Sequence, residues 1–129
     1  MSAILLDTDV LIDHLRGHRR LDLANPGWTI SVVTRCELFS GRNADEMRLG
    51  RNADEMRLGR VLNGLDELPV DRAIAQAAGR IRRATQLHAA DALIAATALE
   101  HRMPIMTRNR RHFERVPGLT LRAPAPTGA

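Results

Sequence analysis

Apolar positions along the chain fall into short runs that alternate with helical seams, and the short runs end on polar residues. The first run covers residues 3–6 and stops at Asp7-Thr8-Asp9. Four apolar residues with no helical spacing read as a buried strand. Beyond it, Val10, Leu11 and Leu15 share a face from which Asp13 and Arg16 are excluded, which predicts one or two turns of helix with Thr8 or Asp9 as N-cap. After an Arg-rich turn and a loop around Asn25-Pro26-Gly27, a second strand is expected over 28–32, followed by a helix opening near Thr34. A long helical region is expected over about 43–65, an extended link over 68–71, and helices over about 71–83 and 87–102. Short strands at 104–106 and 119–121 complete the pattern. Strand and helix alternate throughout, so the expected class is α/β, with a mainly parallel central sheet covered by helices. One domain is expected over residues 1–122, and the Pro/Ala-rich stretch 123–129 is expected to be disordered.

One stretch interrupts this regularity. The nine residues Arg42 to Gly50 recur unchanged as Arg51 to Gly59. Nine residues turn a helix through about 900°, so the second copy faces the opposite way from the first. Leu58, Val61, Leu62 and Leu65 follow helical spacing and continue from the second copy, which leaves the first outside the seam. An in-frame duplication in a tolerant connection accounts for this; repeat arrays need longer periods and more units.

Composition narrows the partners. The net charge is +4, and all 19 basic residues are Arg, a side chain whose planar fork matches phosphate oxygens. With Trp28, Phe39 and Phe113 as the only aromatic residues, an aromatic base-stacking platform is not expected. A single cysteine, Cys36, fits a reducing compartment, and no apolar stretch approaches the length of a membrane span. A cytoplasmic protein is expected.

The acids carry the candidate chemistry. Asp7 ends the first predicted strand, where open α/β sheets bind ligands. Glu37 follows the second strand and emerges on the same sheet edge, although Thr34 to Glu37 also reads as a capping box. Asp91 lies in the first turn of a helix that is otherwise apolar almost all round, so a partner, a metal or the helix amides must satisfy it. The segment from Thr107 to Phe113 supplies Arg108, Arg110 and Arg111, either as a solvated charge run or as phosphate contacts. His14 and His18 have helical spacing but sit among arginines beside Gly17, and a solvated turn is expected there rather than zinc.

Taken together, "ILLDTDVLIDHLRG", "ISVVTRCELFSG" and "HAADALIAATALEHRMPIMTRNRRHFERV" resemble PIN-domain ribonucleases of the VapC toxin type over about residues 3–122. The resemblance implies an α/β/α sandwich, a homodimer, RNA cleavage with Mg²⁺ or Mn²⁺, and neutralisation by a cognate VapB antitoxin. It places Asp7, Glu37 and Asp91 on the family's metal-binding acids and Thr8 on the hydroxyl after the first. Asp9 is expected to cap the helix and support the ligands from behind. The family's fourth acid is here Asn109, and the acid often found before the Phe is His112, which lowers the negative charge available for a second metal. Two other readings share these residues. "ILLDTDV" fits the opening of haloacid-dehalogenase-like phosphatases, with Asp7 as nucleophile, although the chain has no Lys for their phosphate clamp. A domain that binds RNA or antitoxin without efficient catalysis is the third.

Overall fold

The computed structural model describes residues 3–40 and 51–124. Along them run β1 (Ile4–Leu6), α1 (Thr8–Arg16), β2 (Trp28–Ser31), α2 (Val32–Phe39), α3 (Arg51–Asn63), β3 (Asp66–Leu68), α4 (Arg72–Thr85), α5 (Ala89–Glu100), β4 (Ile105–Met106), α6 (Arg110–Phe113) and β5 (Leu121–Arg122). The strands form one sheet in the order β3-β2-β1-β4-β5, and every neighbouring pair is parallel.

Side-chain alternation along the central strands builds two cores. Leu5 and Ile105, paired in register, face one layer, and Leu6 and Met106 face the other. On the Leu5 side, Ile74 and Ala78 of α4 and Ala92, Ile94 and Ala95 of α5 close the core. On the Leu6 side, Val10, Leu11 and Leu15 of α1 meet Leu58 and Leu62 of α3. Helices on both faces of a parallel sheet give the expected α/β/α sandwich. Leu5 and Leu6 are fully buried, which contributes about 1.5–3 kcal/mol each.

The order of strands positions the site. From β1 the chain moves to β2 and β3 on one side of the sheet, then returns to β4 and β5 on the other. That reversal opens a crevice at the carboxyl ends of β1 and β4, the usual ligand position in such sheets. Asp7 directly follows β1 and Thr107 directly follows β4.

Local starts and stops differ from expectation in several places. Asp7, not Thr8 or Asp9, is the N-cap of α1, its side chain accepting from the Thr8 amide. The helix therefore begins one residue after the strand, and Asp9 lies in its first turn. Ser31 caps α2 by accepting from the Val33 amide, so Thr34 lies inside the helix and the expected Thr34–Glu37 capping box does not form. The link expected at 68–71 is preceded by an edge strand, β3, whose Asp66 and Glu67 hide it from an apolar pattern. Asp71, expected as the first residue of the next helix, instead caps α4, its side chain accepting from the Ile74 amide. At the end of α1, Gly17 takes φ +76° and its N–H closes the last turn on Asp13 and His14 carbonyls, a left-handed position that glycine fills without strain.

The second copy of the duplicated segment forms the start of α3. Its Leu58 is buried with Leu62 and Leu65, and Val61 packs alongside, as the helical seam required. The first copy, residues 42–50, and the tail from 125 onward lie outside the described residues.

Candidate active site at the ends of β1 and β4

Asp7 is the hub of the crevice and is 5% exposed. Its Oδ1 accepts from the Thr8 amide at 2.9 Å, and its Oδ2 accepts from the Thr107 hydroxyl at 2.8 Å. The Asp7 amide is itself fixed by the Met106 carbonyl at 2.9 Å. Thr107 Oγ1 in turn accepts from the Asn109 amide at 2.9 Å, so the turn after β4 orients the hydroxyl that orients Asp7. The carboxyl is thus aimed by both strands that border the switch point.

Glu37 reaches this centre through Thr8. The Thr8 hydroxyl donates to Glu37 Oε1 at 2.6 Å and lies 3.0 Å from the Thr34 hydroxyl. A hydroxyl has one proton, and Thr8 gives it to the carboxylate, so Thr34 donates to Thr8. A chain of Thr34, Thr8 and Glu37 therefore tethers α2 to the first turn of α1. Because the cap of α2 is Ser31, Glu37 is available for this role.

Asp91 approaches from the first turn of α5. Its side chain is 24% exposed, so the carboxylate opens to the crevice, whereas the apolar pattern of its helix had suggested a buried one. Burial on α5 begins at Ala92, and its buried polar residue, Thr97, is satisfied by the Leu93 carbonyl at 2.7 Å. Asp91 Oδ2 lies 3.6 Å from His112 Nδ1, and His112 Nδ1 lies 2.8 Å from Asn109 Nδ2. Asn109 thus supports the rim, through His112 and through Thr107.

Charge is concentrated here beyond what burial tolerates. Burial first, then the neighbouring charges of Asp9 and Asp91, push the Asp7 carboxyl up to about 8, against hydrogen bonds from Thr107 and Thr8 that pull it down. Burial also raises Asp9, partly offset by Arg108 and by a hydrogen bond with Asp7. Asp9 Oδ1 is buried and has no hydrogen-bond partner. Such an orphaned carboxylate oxygen normally costs about 1–3 kcal/mol or more unless a donor or cation meets it.

The arginines divide by their partners. Arg108 NH1 lies 3.1 Å from Asp13, which is buried, and its Nε lies 3.7 Å from Asp9. Arg110 lies 3.2 Å from Glu114 one turn on. Arg111 is exposed and has no carboxylate within ion-pair distance among the described residues. Neither Asp13 nor Thr107 was singled out by sequence. Thr107 carried one usable signal, a hydroxyl ending a strand as Asp7 does. His14 is likewise more structural than expected, its Nδ1 accepting from the Leu21 amide at 2.9 Å while burial lowers its pKa.

Among the described residues, no three Asp, Glu, His or Cys side chains already converge as a coordination shell. Glu37 is held by Thr8 and Asp91 faces His112, an arrangement that keeps like charges apart. The donor set nevertheless suits a hard divalent ion. It consists of the carboxylate oxygens of Asp7, Glu37 and Asp91, with the unpartnered buried Oδ1 of Asp9 nearby, and Mg²⁺ is a hard ion that binds carboxylates while keeping several waters.

Comparison with known proteins places this geometry in a family. A model of the PIN domain matches residues 4–119. The chain is 32% identical over 118 residues to "Ribonuclease VapC1" of Methanocaldococcus jannaschii, an alignment covering 89% of this chain and 82% of that protein. Among solved structures, a toxin-antitoxin complex from Klebsiella pneumoniae is similar with a TM-score of 0.74 and 30% identity, covering 95% of this chain and 98% of the other. The DNA-bound VapBC of Salmonella typhimurium shares the fold with a TM-score of 0.83 at 24% identity, covering 97% and 100%. The match spans β1 with Asp7, α2 with Glu37, α5 with Asp91 and the turn after β4, and the chain belongs to the PIN-domain family.

Proposed function

We propose that this chain is a metal-dependent endoribonuclease, the toxin of a type II toxin–antitoxin pair, which acts as a cytoplasmic homodimer and is held inactive by a VapB-type antitoxin. The observation that carries the reading is Asp7, a buried carboxyl aimed by Thr8 and Thr107 and pushed up to about 8 beside two further acids, an arrangement that a cation relieves. Support comes from the relative named a ribonuclease and from the similar toxin-antitoxin complex. Membership of the PIN family leaves no role for Asp7 as a phosphatase nucleophile. Among the described residues no helix is long and apolar enough to cross a membrane.

Asp7, Glu37 and Asp91 are the residues that would hold Mg²⁺ or Mn²⁺. Such an ion, when bound, acidifies a coordinated water and offsets charge on the phosphate oxygens. The protein's own part is positional. Thr107 and the Thr8 amide fix the direction of the Asp7 carboxyl, and Thr8 fixes Glu37. Asp9, in the first turn of α1, and Asn109, through Thr107 and His112, support these groups from behind. Arg108, Arg110 and Arg111 draw the RNA backbone toward an acidic centre that would otherwise repel it.

The test is cleavage of single-stranded RNA by the purified chain with Mg²⁺, with Mn²⁺ and with EDTA. Cleavage is expected only with metal and is expected to fall at least about 100-fold in Asp7→Asn, the scale on which removal of a group acting in the transition state is felt. RNA bound but left uncut by the wild-type chain at every metal concentration would instead indicate a binding-only domain.

A further inference from the structure

A groove of about 350 Å³ adjoins the Asp7 centre, lined by Arg19, Thr107, Arg108, Arg110, Leu121 and Arg122. Thr107 is the shared wall, since its hydroxyl lies 2.8 Å from Asp7 Oδ2. Backbone bonds hold the groove to the site. The Thr107 amide donates to the Arg122 carbonyl at 3.1 Å, and Arg122 pairs in register with Met106. The Arg19 amide points at the carbonyl of Asp13, at 3.4 Å.

The four guanidinium groups are not equivalent. Arg108 is matched by Asp13 and Asp9, and Arg110 by Glu114. No carboxylate among the described residues lies within ion-pair distance of Arg19 or Arg122. Unmatched guanidinium groups around one groove repel each other and attract an anion, and their planar forks suit phosphate. Leu121 adds an apolar wall of the kind a sugar or base covers. We propose that this groove seats the nucleotide next to the scissile bond, with Arg19 and Arg122 contacting its phosphate. The inference rests on the ribonuclease reading and extends it. The substrate must continue beyond the cut on the β5 side, and two residues outside the acidic centre hold it there. An acidic peptide would also be attracted by the charge, but the groove opens directly beside the carboxyl that works on phosphodiesters.

Binding is measured by fluorescence anisotropy of a labelled single-stranded RNA on the Asp7→Asn chain across a salt series. Adding Arg19→Gln and Arg122→Gln is expected to weaken binding about tenfold or more and to reduce the slope of log K against log salt by about 0.7, for the one single-strand phosphate the pair contacts. Arg80→Gln with Arg83→Gln, two exposed positions on α4 outside the groove, serves as the charge-matched control and is expected to change the slope far less. In a second measurement, RNA carrying one neutral methylphosphonate beside the scissile phosphate is cut by the chain with native Asp7 and Mg²⁺. At one of the two flanking positions, neutralisation is expected to slow cleavage, and the groove arginine pair is expected to show no further loss there. Equal weakening by the α4 pair, additive losses with the methylphosphonate, or a groove that loses affinity for a glutamate decamer but not for RNA overturns the proposal. Failure of the chain with native Asp7 to cut any RNA with Mg²⁺ or Mn²⁺ overturns the ribonuclease reading instead, whereas cleavage with groove variants that bind RNA normally overturns the groove alone.

Discussion

Replacing Asp7 by Asn tests whether the acidic centre is strained in the absence of metal. In the native chain the Asp7 carboxyl is raised from its ordinary 3.8 to about 8, with burial as the first cause and Asp9 and Asp91 next. Between those values the folded state holds a proton that the unfolded chain has released, so stability falls as pH rises from about 4 toward 8. At about 1.36 kcal/mol per pH unit, the ceiling on this loss is about 5–6 kcal/mol, and relaxation of neighbouring charges reduces the expected value to about 1–3 kcal/mol. Asn removes the charge but keeps the geometry. Its carbonyl can accept from the Thr8 amide, and its amide can donate to Thr107 Oγ1, which already accepts from Asn109 and has a second lone pair. In EDTA, Asp7→Asn is therefore expected to match wild type near pH 4.5 and to melt about 4–12 °C higher near pH 8. With metal at ten times its dissociation constant, wild type should gain about 1.4 kcal/mol and the variant little. Thermal melts at both pH values, with and without metal, make the measurement. A melting difference that does not grow with pH, or a variant less stable than wild type throughout, refutes the reasoning and makes Asp7 an ordinary helix cap.

Other consequences follow from the same contacts. Thr107→Val removes the donor to Asp7 and the acceptor for the Asn109 amide, and is expected to cost about 1–3 kcal/mol in denaturant melts and to lower cleavage at least tenfold, whereas Thr107→Ser retains both. Glu37→Gln keeps an oxygen for the Thr8 hydroxyl, so stability should change by less than about 1 kcal/mol while metal affinity measured by calorimetry falls; unchanged affinity would make Glu37 structural. Metal binding near pH 6.5 should release close to one proton from Asp7, read from calorimetry in buffers of different ionisation enthalpy, and release should vanish well above pH 8. Deleting residues 51–59 leaves the identical nine residues in front of Arg60, so Leu49 takes the place of Leu58 in the helical seam, and soluble, active protein with a near-native melting temperature is expected; loss of the fold would show that the added length is needed.

Sequence reached the central strands and the helices packed on them because their signal is local. Ala3 to Leu6 and the seams of α1 and α3 are apolar where the core requires it. What escaped depends on assembly. The edge strand β3 gains its place by pairing with β2, and its charged side chains belong to an edge rather than to a buried run. The caps were misplaced because Asp7, Thr8, Asp9, Ser31 and Thr34 are all competent N-caps, and the residue chosen is the one at which the strand lets go of the sheet. Asp7, Glu37 and Asp91 were visible as acids, but Thr107 was not visible as a partner, since a contact across a hundred residues exists only once β4 lies beside β1.

The position of Asp7 at the start of α1 bears on why the proposed site would take a cation. A helix N-terminus favours negative charge, and the Thr8 amide donates to the carboxyl directly. Thr107 adds a second donor. These contributions act to keep Asp7 ionised, yet burial and the charges of Asp9 and Asp91 outweigh them. Arg108 does not resolve the conflict, because its guanidinium faces Asp9 and Asp13 on α1, and Asp9 retains a buried oxygen without a partner. The fold has therefore placed two uncharged donors on Asp7 and Arg108 on the neighbouring acids, so that a charge on Asp7 has no cation of its own among the contacts described at the point where β1 and β4 part. Without metal a proton neutralises the carboxyl, and the proposed divalent ion would replace that proton while leaving in place the donors that aim the carboxyl. The same donors are expected to preserve the aim when the charge is removed, so that binding geometry and electrostatic demand can be separated by a single oxygen-to-nitrogen exchange at Asp7.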